Sequence, residues 1–325
     1  MSMSNILPMM NSNMNSNMSS NMSSNMNSNA NPNANPNMNS NANPYANSYA
    51  NSNMNELLFK ARTSEGYIIK VLSELLQNNI KVGCFEIDKR GIFFRMMDTH
   101  RRLCIDFELL GENFSAYSVN TTQKIYIGIN LMHLRKMLKP VKKKDSMEFS
   151  KESESSDNLC IKIIPKETGK ITTSYIKIQD IQNIEVDLPA GYENYISIPS
   201  SDYQKMCKDM ESISQNINLR TTKSTIRFTA DMSCVYSRSI MFGEGDDTNE
   251  DSVIYNQHFE SDQLNNLGRI SGLGVSSGNN IQIFCKSNLP ILFRTSVGTL
   301  GKINIYIKSK EQVETEKETV GNGNN

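Results

Sequence analysis

Basic side chains recur at helical spacing in the middle of the chain, and their chemistry suits the binding of phosphate. Arg135, Lys136 and Lys139 lie in one short segment, and the basic run at residues 142–144 follows directly. Lysine and arginine neutralise nucleic-acid phosphates without reading the bases. The alternative is an ordinary solvated basic face, and this segment alone does not separate the two hypotheses.

Patterns for catalysis and metal binding are weak. Residues 98–100 (Asp-Thr-His) could supply an acid and a base, but no nucleophile or set of oxyanion donors accompanies them. The three histidines are not spaced as ligands with one another or with a cysteine pair, so we expect no metal. The glycine pairs at 243–245 and 272–274 do not form a GxxxxGK[ST] loop. We therefore predict a protein that is not an enzyme and needs no cofactor.

The segment that carries the basic residues is predicted to be a strand that continues into a helix. Ile125, Ile127 and Ile129 alternate with small or polar residues, which is typical of a half-buried strand. After Asn130, a common helix N-cap residue, leucines recur at helical spacing until Pro140 ends the helix. The helix therefore buries its leucines and exposes its basic residues.

This order of elements occurs twice. Each half reads as strand, helix, several strands, strand, second helix and closing strands, and residues 91–98 are similar to residues 225–231. We predict an α+β fold with two similar domains, each with two helices packed on antiparallel sheet. The predicted domains are residues 56–179 and 196–310, and residues 180–195 form an interdomain connector.

Four polar stretches lie outside this pattern. Residues 1–55 have no charged side chain and are rich in Asn, Ser and Met, so we predict a disordered tail there and another at 311–325. Residues 142–158 read as a polar insertion, and residues 244–251 as an acidic loop. No apolar run approaches the ~18 residues that span a bilayer. Six cysteines without a CxxC pair or a secretory signal indicate an intracellular protein.

The formal net charge is zero, so any contact with nucleic acid must come from local clustering. Each predicted domain contributes two helices with basic side chains on the exposed face. If the four helices line one side of the molecule, they form a strip that binds duplex through its phosphates. The second half contributes less, because its helices also carry acids. The candidate DNA-binding residues are Lys70, Arg135, Lys136, Lys139, Lys205, Lys208 and Arg269.

From residue 58 to residue 310 the chain resembles the eukaryotic-type sliding clamp family, proliferating cell nuclear antigen. No single motif is decisive, but the order and spacing of the matching segments are. These segments are FKAR at 59–62, GIFFRMMD at 91–98, FSAY at 114–117, GINL at 128–131, KMLK at 136–139, IP at 198–199, CKD at 207–209, NLP at 288–290 and GKINIY at 301–306.

The resemblance implies a ring-forming homotrimer whose helices surround duplex DNA. Such a clamp tethers a DNA polymerase as a processivity factor and recruits a clamp loader and other replication and repair proteins. The implied inner-face residues are Lys70, Lys136, Lys139, Lys208 and Arg269, whereas Gln77, Ser212 and Asp262 are not basic here. We expect the protein to act in the nucleus, or at a host-cell replication site if it is viral. The Ile/Asn/Lys-rich composition suggests a large DNA virus.

The resemblance also implies a pocket under the connector, where short peptides of partner proteins dock. Arg101 and Arg102 replace a histidine and an aliphatic residue on its rim, so we predict partner peptides with acidic flanks. The matching pocket residues are Met97, Arg101, Cys104, Val186, Leu188, Pro189, Pro290 and Tyr306.

Subunits of this family join edge strand to edge strand, here at residues 172–178 and about 234–242. The implied interface residues are Thr173, Tyr175, Lys177, Val235, Ser237 and Ser239. Two alternatives remain open: a checkpoint-type clamp subunit that needs unlike partners, and a monomeric processivity factor of the same fold. The oligomeric state of the purified protein, and its retention on circular DNA in salt, would distinguish them.

Overall fold

The computed structural model describes residues 57–167, 169–182, 185–232, 235–244, 253–274 and 279–322. The predicted tail at residues 1–55 and nearly all of the acidic loop at 244–251 lie outside the described residues. The elements of the first repeat are β1 (Phe59–Thr63), α1 (Gly66–Asn79), β2 (Val82–Asp88), β3 (Gly91–Met97), β4 (Leu103–Leu110), β5 (Ala116–Val119), β6 (Ile125–Asn130), α2 (Leu131–Leu138), β7 (Ser146–Lys151), β8 (Asn158–Ile164) and β9 (Thr172–Lys177).

The second repeat follows the connector and has the same order without a described equivalent of β5. Its elements are β10 (Tyr195–Pro199), α3 (Ser200–Glu211), β11 (Asn216–Thr221), β12 (Thr225–Met232), β13 (Tyr236–Gly243), β14 (Tyr255–Glu260), α4 (Ser261–Asn266), a 3-10 turn at Leu267–Gly272, β15 (Asn280–Phe284), β16 (Ile291–Val297) and β17 (Gly301–Ile307), with α5 (Lys310–Asn322) at the end.

All strand pairs among the described residues are antiparallel, and one sheet crosses from the first repeat to the second. Its order is β10-β15-β16-β17-β4-β3-β2-β6, and the pairing of β4 with β17 joins the repeats. The other described sheets are β5-β1-β7-β8-β9 and β13-β12-β11-β14. The predicted α+β fold with two similar repeats is therefore confirmed.

Apolar side chains at alternating positions of the strands form the core. Phe94 of β3 and Phe107 of β4 are paired in register, and their rings stack at 5.1 Å between centroids. Both are almost completely buried. Burial of large apolar side chains on one face of each strand supplies most of the folding free energy of such a sheet.

The helices α1 to α4 form one continuous layer. α2 packs on α1, α1 packs on the 3-10 turn Leu267–Gly272 of the second repeat, and that turn packs on α3, which also contacts α4. Gly272 permits the close approach at the junction of the repeats, since a Cβ there would lie 3.0 Å from a methyl group of Val71. The helices of both repeats therefore share one side of the molecule.

Two predictions made from polarity alone were wrong. Within the supposed insertion at 142–158, β7 pairs with both β1 and β8. Its polar residue Glu148 is buried between Lys60 and Lys162, at 3.4 and 3.6 Å. This central strand therefore contains a charged residue, and its sequence resembles that of a polar loop.

The last residues, 311–325, were predicted to be disordered, but α5 extends to Asn322. The start of α5 is held against β14, because the Glu311 carboxylate accepts hydrogen bonds from the His258 backbone N–H at 3.1 Å and contacts Nδ1 at 2.6 Å. A helix of low hydrophobicity can be ordered by such polar contacts, which composition does not reveal.

Candidate functional site

α2 presents the exposed basic residues of the helical layer. The Asn130 side chain accepts hydrogen bonds from the backbone N–H groups of Met132 and His133, at 3.0 and 3.2 Å, so the predicted N-cap is confirmed. The leucines of the helix are buried, which turns Lys136 and Lys139 outward. Neither ammonium group has a hydrogen bond or ion pair within the described part of the chain, so both are available to a phosphate.

Lys70 makes a contact that the sequence did not predict. Its Nζ lies on α1 but donates to the carbonyls of Lys139 and Val141, at 2.8 and 3.0 Å. A cation at the C-terminal end of a helix satisfies free carbonyls and interacts favourably with the helix dipole. Lys70 therefore holds α2 against α1, and its charge adds to the field around Lys139.

Two further candidate DNA-binding residues, Arg135 and Arg269, contact neighbouring side chains. Arg135 donates to the Gln77 side chain at 2.7 Å, which leaves its charge uncompensated. Arg269 lies 3.4 Å from Glu74 of α1, across the boundary between the repeats. Arg269 thus contributes little net charge to the helical face.

The second repeat is much less basic on this side. Lys205 lies 3.6 Å from Asp202, and Lys208 is exposed beside Asp209. Asp262 is in the first turn of α4. The positive potential of the helical layer is therefore concentrated on α2 and the turn that follows it, where residues 142–144 are exposed.

Five of the eight predicted pocket residues come together on the opposite side of the sheet, beneath the connector: Met97, Cys104, Val186, Leu188 and Tyr306. Cys104 and Tyr306 are neighbours in the β4–β17 pairing, and both are buried together with Phe284 and Leu292. Met97, Val186, Leu188 and Tyr192 pack against this floor while remaining partly exposed. The result is an apolar cluster on this face of the sheet, with the connector packed over one side of it as a strap.

Phe284, Leu292 and Tyr192 were missed by the sequence reasoning. Phe284 and Leu292 are paired across β15 and β16, and both follow the alternation of strands that the sequence already indicated. The available signal was an apolar side chain at outward-facing positions of two adjacent strands. The Tyr192 hydroxyl donates to the carbonyl of Pro290 at 2.6 Å, which fastens the end of the connector to the loop before β16.

The connector is also held at its other end. Arg95 donates to Asp106 at 2.9 Å and to the carbonyl of Val186 at 3.5 Å. Asp106 in turn accepts from Asn304 at 3.0 Å, so this network crosses the junction between β4 and β17. Pro189 is partly exposed in the connector, next to Leu188.

The rim of the pocket is less basic than the sequence suggested. Asp98 accepts backbone hydrogen bonds from Arg102 and Leu103, at 2.7 and 2.8 Å, and so shapes the loop instead of acting as an acid. Arg102 forms an ion pair with Glu260 at 2.7 Å. Arg101 remains exposed, in a left-handed backbone conformation with φ 54°. The prediction of acidic flanks in partner peptides now rests on Arg101 alone.

The chemistry of the floor is inert. Burial raises the pKa of the Cys104 thiol to about 12, so the thiol is neutral at physiological pH. Burial also raises the pKa of Tyr306. The thiol and the phenol on the floor are therefore not activated as nucleophiles.

Two strands end their sheets with exposed faces. β9 carries Thr173, Tyr175 and Lys177, all exposed. β13 begins at Tyr236, so Val235 of the predicted set lies in the preceding turn, whereas Ser237 and Ser239 lie in the strand. Tyr175 and Val235 are 62% and 76% exposed. Edges with large exposed apolar side chains are typical of strand-to-strand interfaces.

Two further negative findings apply to the described residues. No group of three or more His, Cys, Asp or Glu side chains is arranged to hold a metal ion there. No helix in the same part of the chain has the length and apolar character needed to cross a membrane.

Comparisons with known proteins agree with this architecture. Residues 58–187 match the N-terminal domain of proliferating cell nuclear antigen, and residues 186–256 match its C-terminal domain. The "Probable DNA polymerase sliding clamp 1" of Paramecium bursaria Chlorella virus 1 is 22% identical over 260 residues, covering 78% of this chain and 97% of that protein.

A solved structure has the same fold. The crystal structure of proliferating cellular nuclear antigen from Entamoeba histolytica superposes with a TM-score of 0.68 at 18% identity, covering 78% of this chain and all of that one. The two domain matches together extend over residues 58–256, which is more than half of the 325 residues. The chain belongs to the proliferating cell nuclear antigen family.

Proposed function

We propose that this protein is a DNA sliding clamp: a ring that encircles duplex DNA, tethers a DNA polymerase as a processivity factor and recruits other replication and repair proteins. The observation that carries the proposal is the single layer of helices across both repeats, with Lys136 and Lys139 exposed on it. A closed ring remains on DNA by topology, so its inner charges need only attract phosphates of any sequence.

Ring closure is supported by the internal repeat. Across the first repeat the paired residues Phe85, Phe94 and Phe107 run through β2, β3 and β4. Leu219, Phe228 and Ile240 run through β11, β12 and β13 in the same way. β13 is therefore the counterpart of β4, with Ile240 equivalent to Phe107.

The same reasoning identifies the counterpart of β17. Phe149 of β7 is paired with Ile161 of β8, which is paired with Ser174 of β9. In the same way, Ile283 of β15 is paired with Phe293 of β16, which is paired with Ile305 of β17. Since β4 pairs with β17 inside the chain, β13 is expected to pair with β9 of a partner subunit in the same antiparallel manner.

This equivalence predicts the register of the interface. Within the chain, Asp106 is opposite Asn304 and Glu108 is opposite Lys302. The corresponding pairs are Ser239 with Thr173 of the partner subunit, and Met241 with Ile171 of the partner subunit. The second pair joins two apolar side chains that are 42% and 57% exposed in the single chain. A head-to-tail contact of this kind closes into a ring when the rotation suits.

Cysteine cross-linking tests the register. A chain with Ser239→Cys and Thr173→Cys should form an intersubunit disulfide under mild oxidation and migrate as a covalent trimer, because directly opposed residues meet disulfide geometry. Met241→Cys with Ile171→Cys is the neighbouring pair. The measurement is non-reducing electrophoresis beside the wild type, whose native cysteines set the baseline.

The matched control is Ile240→Cys with Thr173→Cys. Successive side chains of a strand point to opposite faces, so this pair should remain uncross-linked. Trimers in the control, or none in either opposed pair, would contradict the proposed junction. Cross-links that appear only after mixing with a different clamp protein would favour the checkpoint-type subunit, and a monomer that loses DNA in moderate salt would favour the monomeric factor.

The pocket under the connector is the proposed docking site for peptide motifs of the polymerase, the clamp loader and other replication proteins. Its apolar floor and exposed strap suit a short peptide with apolar or aromatic anchors. We propose that the protein acts without chemistry of its own, at the intracellular site of DNA replication. Incubation with DNA and magnesium should therefore produce no cleavage.

A further inference from the structure

Three basic side chains surround one buried acid on the sheet β5-β1-β7-β8-β9. Arg62 of β1, Glu148 of β7 and Lys162 of β8 are paired in register, and Lys60 lies two residues before Arg62. Successive side chains of a strand point to opposite faces, and the intervening Ala61 is completely buried in the core. The three cations therefore lie on the face of the sheet that is turned away from the core. We name Lys60, Arg62 and Lys162 the outer basic face.

The charge of the outer basic face is only partly compensated. Glu148 is the only acid in the five strands of this sheet. Its carboxylate oxygens lie 3.4 Å from Lys60 Nζ and 3.6 Å from Lys162 Nζ. Both distances exceed the ~3.2 Å of an ordinary N–H···O hydrogen bond, so both ammonium groups keep donors for a further anion. The Arg62 guanidinium is exposed and forms no ion pair or hydrogen bond with the residues that the structure describes.

The corresponding face of the eight-stranded sheet shows that this excess of charge is not a property of the fold. There the Lys302 ammonium lies 2.9 Å from the Glu108 carboxylate, and the Arg95 guanidinium lies 2.9 Å from the Asp106 carboxylate. Each of these cations has its own acid, whereas the three cations of the outer basic face share one. A local excess of positive charge on an exposed surface attracts an anionic partner.

The spacing of the three cations fits an extended chain of acids. Side chains two residues apart on a strand are separated by ~6.8 Å, and neighbouring strands by ~4.8 Å. Lys60 and Arg62 therefore match acids at alternate positions of an extended peptide, and Lys162 lies two strands away, at about 10 Å. Arginine also binds a carboxylate through two parallel hydrogen bonds.

We propose that the outer basic face binds an acidic segment of a partner protein, extended and with Asp or Glu at alternate positions. A protein is favoured over nucleic acid because the proposed ring holds duplex DNA on its helical side, and α1 contacts β7 from that side. To that extent the inference rests on the proposed function. It adds a recognition surface that is separate from the pocket under the connector. Because the contact is electrostatic, it speeds association and weakens as salt rises.

Titration of a fluorescent peptide of alternating Glu and Ser against the full chain at low salt tests this surface. Arg62→Glu should weaken binding about five- to tenfold, because an exposed attractive contact becomes repulsive. Glu148→Gln should tighten binding about threefold, because it removes the carboxylate that competes for Lys60 and Lys162. Lys302→Glu is the matched control: the charge change equals that of Arg62→Glu, and the affinity should change by less than about twofold.

Each outcome supports or overturns the surface. Unchanged affinity in Arg62→Glu, no gain in Glu148→Gln, or an equal loss in Lys302→Glu would overturn it. Arg62-dependent binding of oligothymidylate that is tighter than binding of the peptide would assign the surface to nucleic acid instead. Failure of the Ser239–Thr173 cross-link with the expected peptide results would overturn the proposed ring alone, and the reverse combination would overturn this inference alone.

Discussion

Replacing Lys136 and Lys139 by Glu should remove most of the stimulation of DNA synthesis and leave the oligomer intact. Both side chains are exposed, Lys136 on α2 and Lys139 directly after it, and neither residue belongs to the edge strands β9 and β13. A trimer presents three copies of each, so the double substitution replaces a basic ring of charge by an acidic one. Loss of assembly is not expected.

The size of the effect follows from counterion release. Each phosphate contact makes the binding constant for DNA depend on salt: the logarithm of the constant falls with the logarithm of the salt concentration, with a slope of about −0.9 per contact. Losing several contacts and adding repulsion should lower stimulation about tenfold or more at physiological salt. The measurement is primer extension by a clamp-dependent polymerase on circular template, with sedimentation of the same sample.

Lys205→Glu with Lys208→Glu is the matched control. The charge change is equal, but Lys205 already lies beside Asp202 and α3 carries further acids. We therefore expect a clearly smaller loss of stimulation. Wild-type stimulation by the Lys136/Lys139 variant, or equal losses in both, would reject the assignment of α2 as the main DNA-facing helix.

Tyr306→Ala should weaken the binding of partner peptides strongly. Tyr306 is 7% exposed and forms the pocket floor with Cys104, Phe284 and Leu292. Truncating a central aromatic side chain in a recognition pocket typically costs about 2–4 kcal/mol, which corresponds to about 30–1000-fold in Kd. Titration of a fluorescent peptide that carries the clamp-binding motif of a replication protein measures the change.

A second substitution keeps this prediction testable if Tyr306→Ala disturbs the sheet. Leu188→Glu alters the partly exposed strap and should also abolish most peptide binding, without a change in the core. Tyr126→Ala is the control, because that ring is 47% exposed on β6 and is not part of the pocket. Unchanged affinity in both pocket variants would contradict the pocket as the docking site.

Much of the fold was predictable because local periodicity records which face of an element is buried. The alternation of Ile125, Ile127 and Ile129 and the cap at Asn130 give a strand that runs into a helix, and both are present. β7 and α5 were not predictable in this way. Their polar residues are satisfied by partners distant in the chain, such as His258 for Glu311.

For the candidate site, the sequence by itself determined which residues are basic, which helix exposes them and which family the chain resembles. Only the tertiary structure decided that Lys70 caps α2, that Arg269 is compensated by Glu74 and that Phe284 and Leu292 form the pocket floor. The physical reason is that helix and strand periods record only how residues a few positions apart in the sequence are buried or exposed. Charge compensation and pocket formation depend on neighbours brought together by long-range strand pairing.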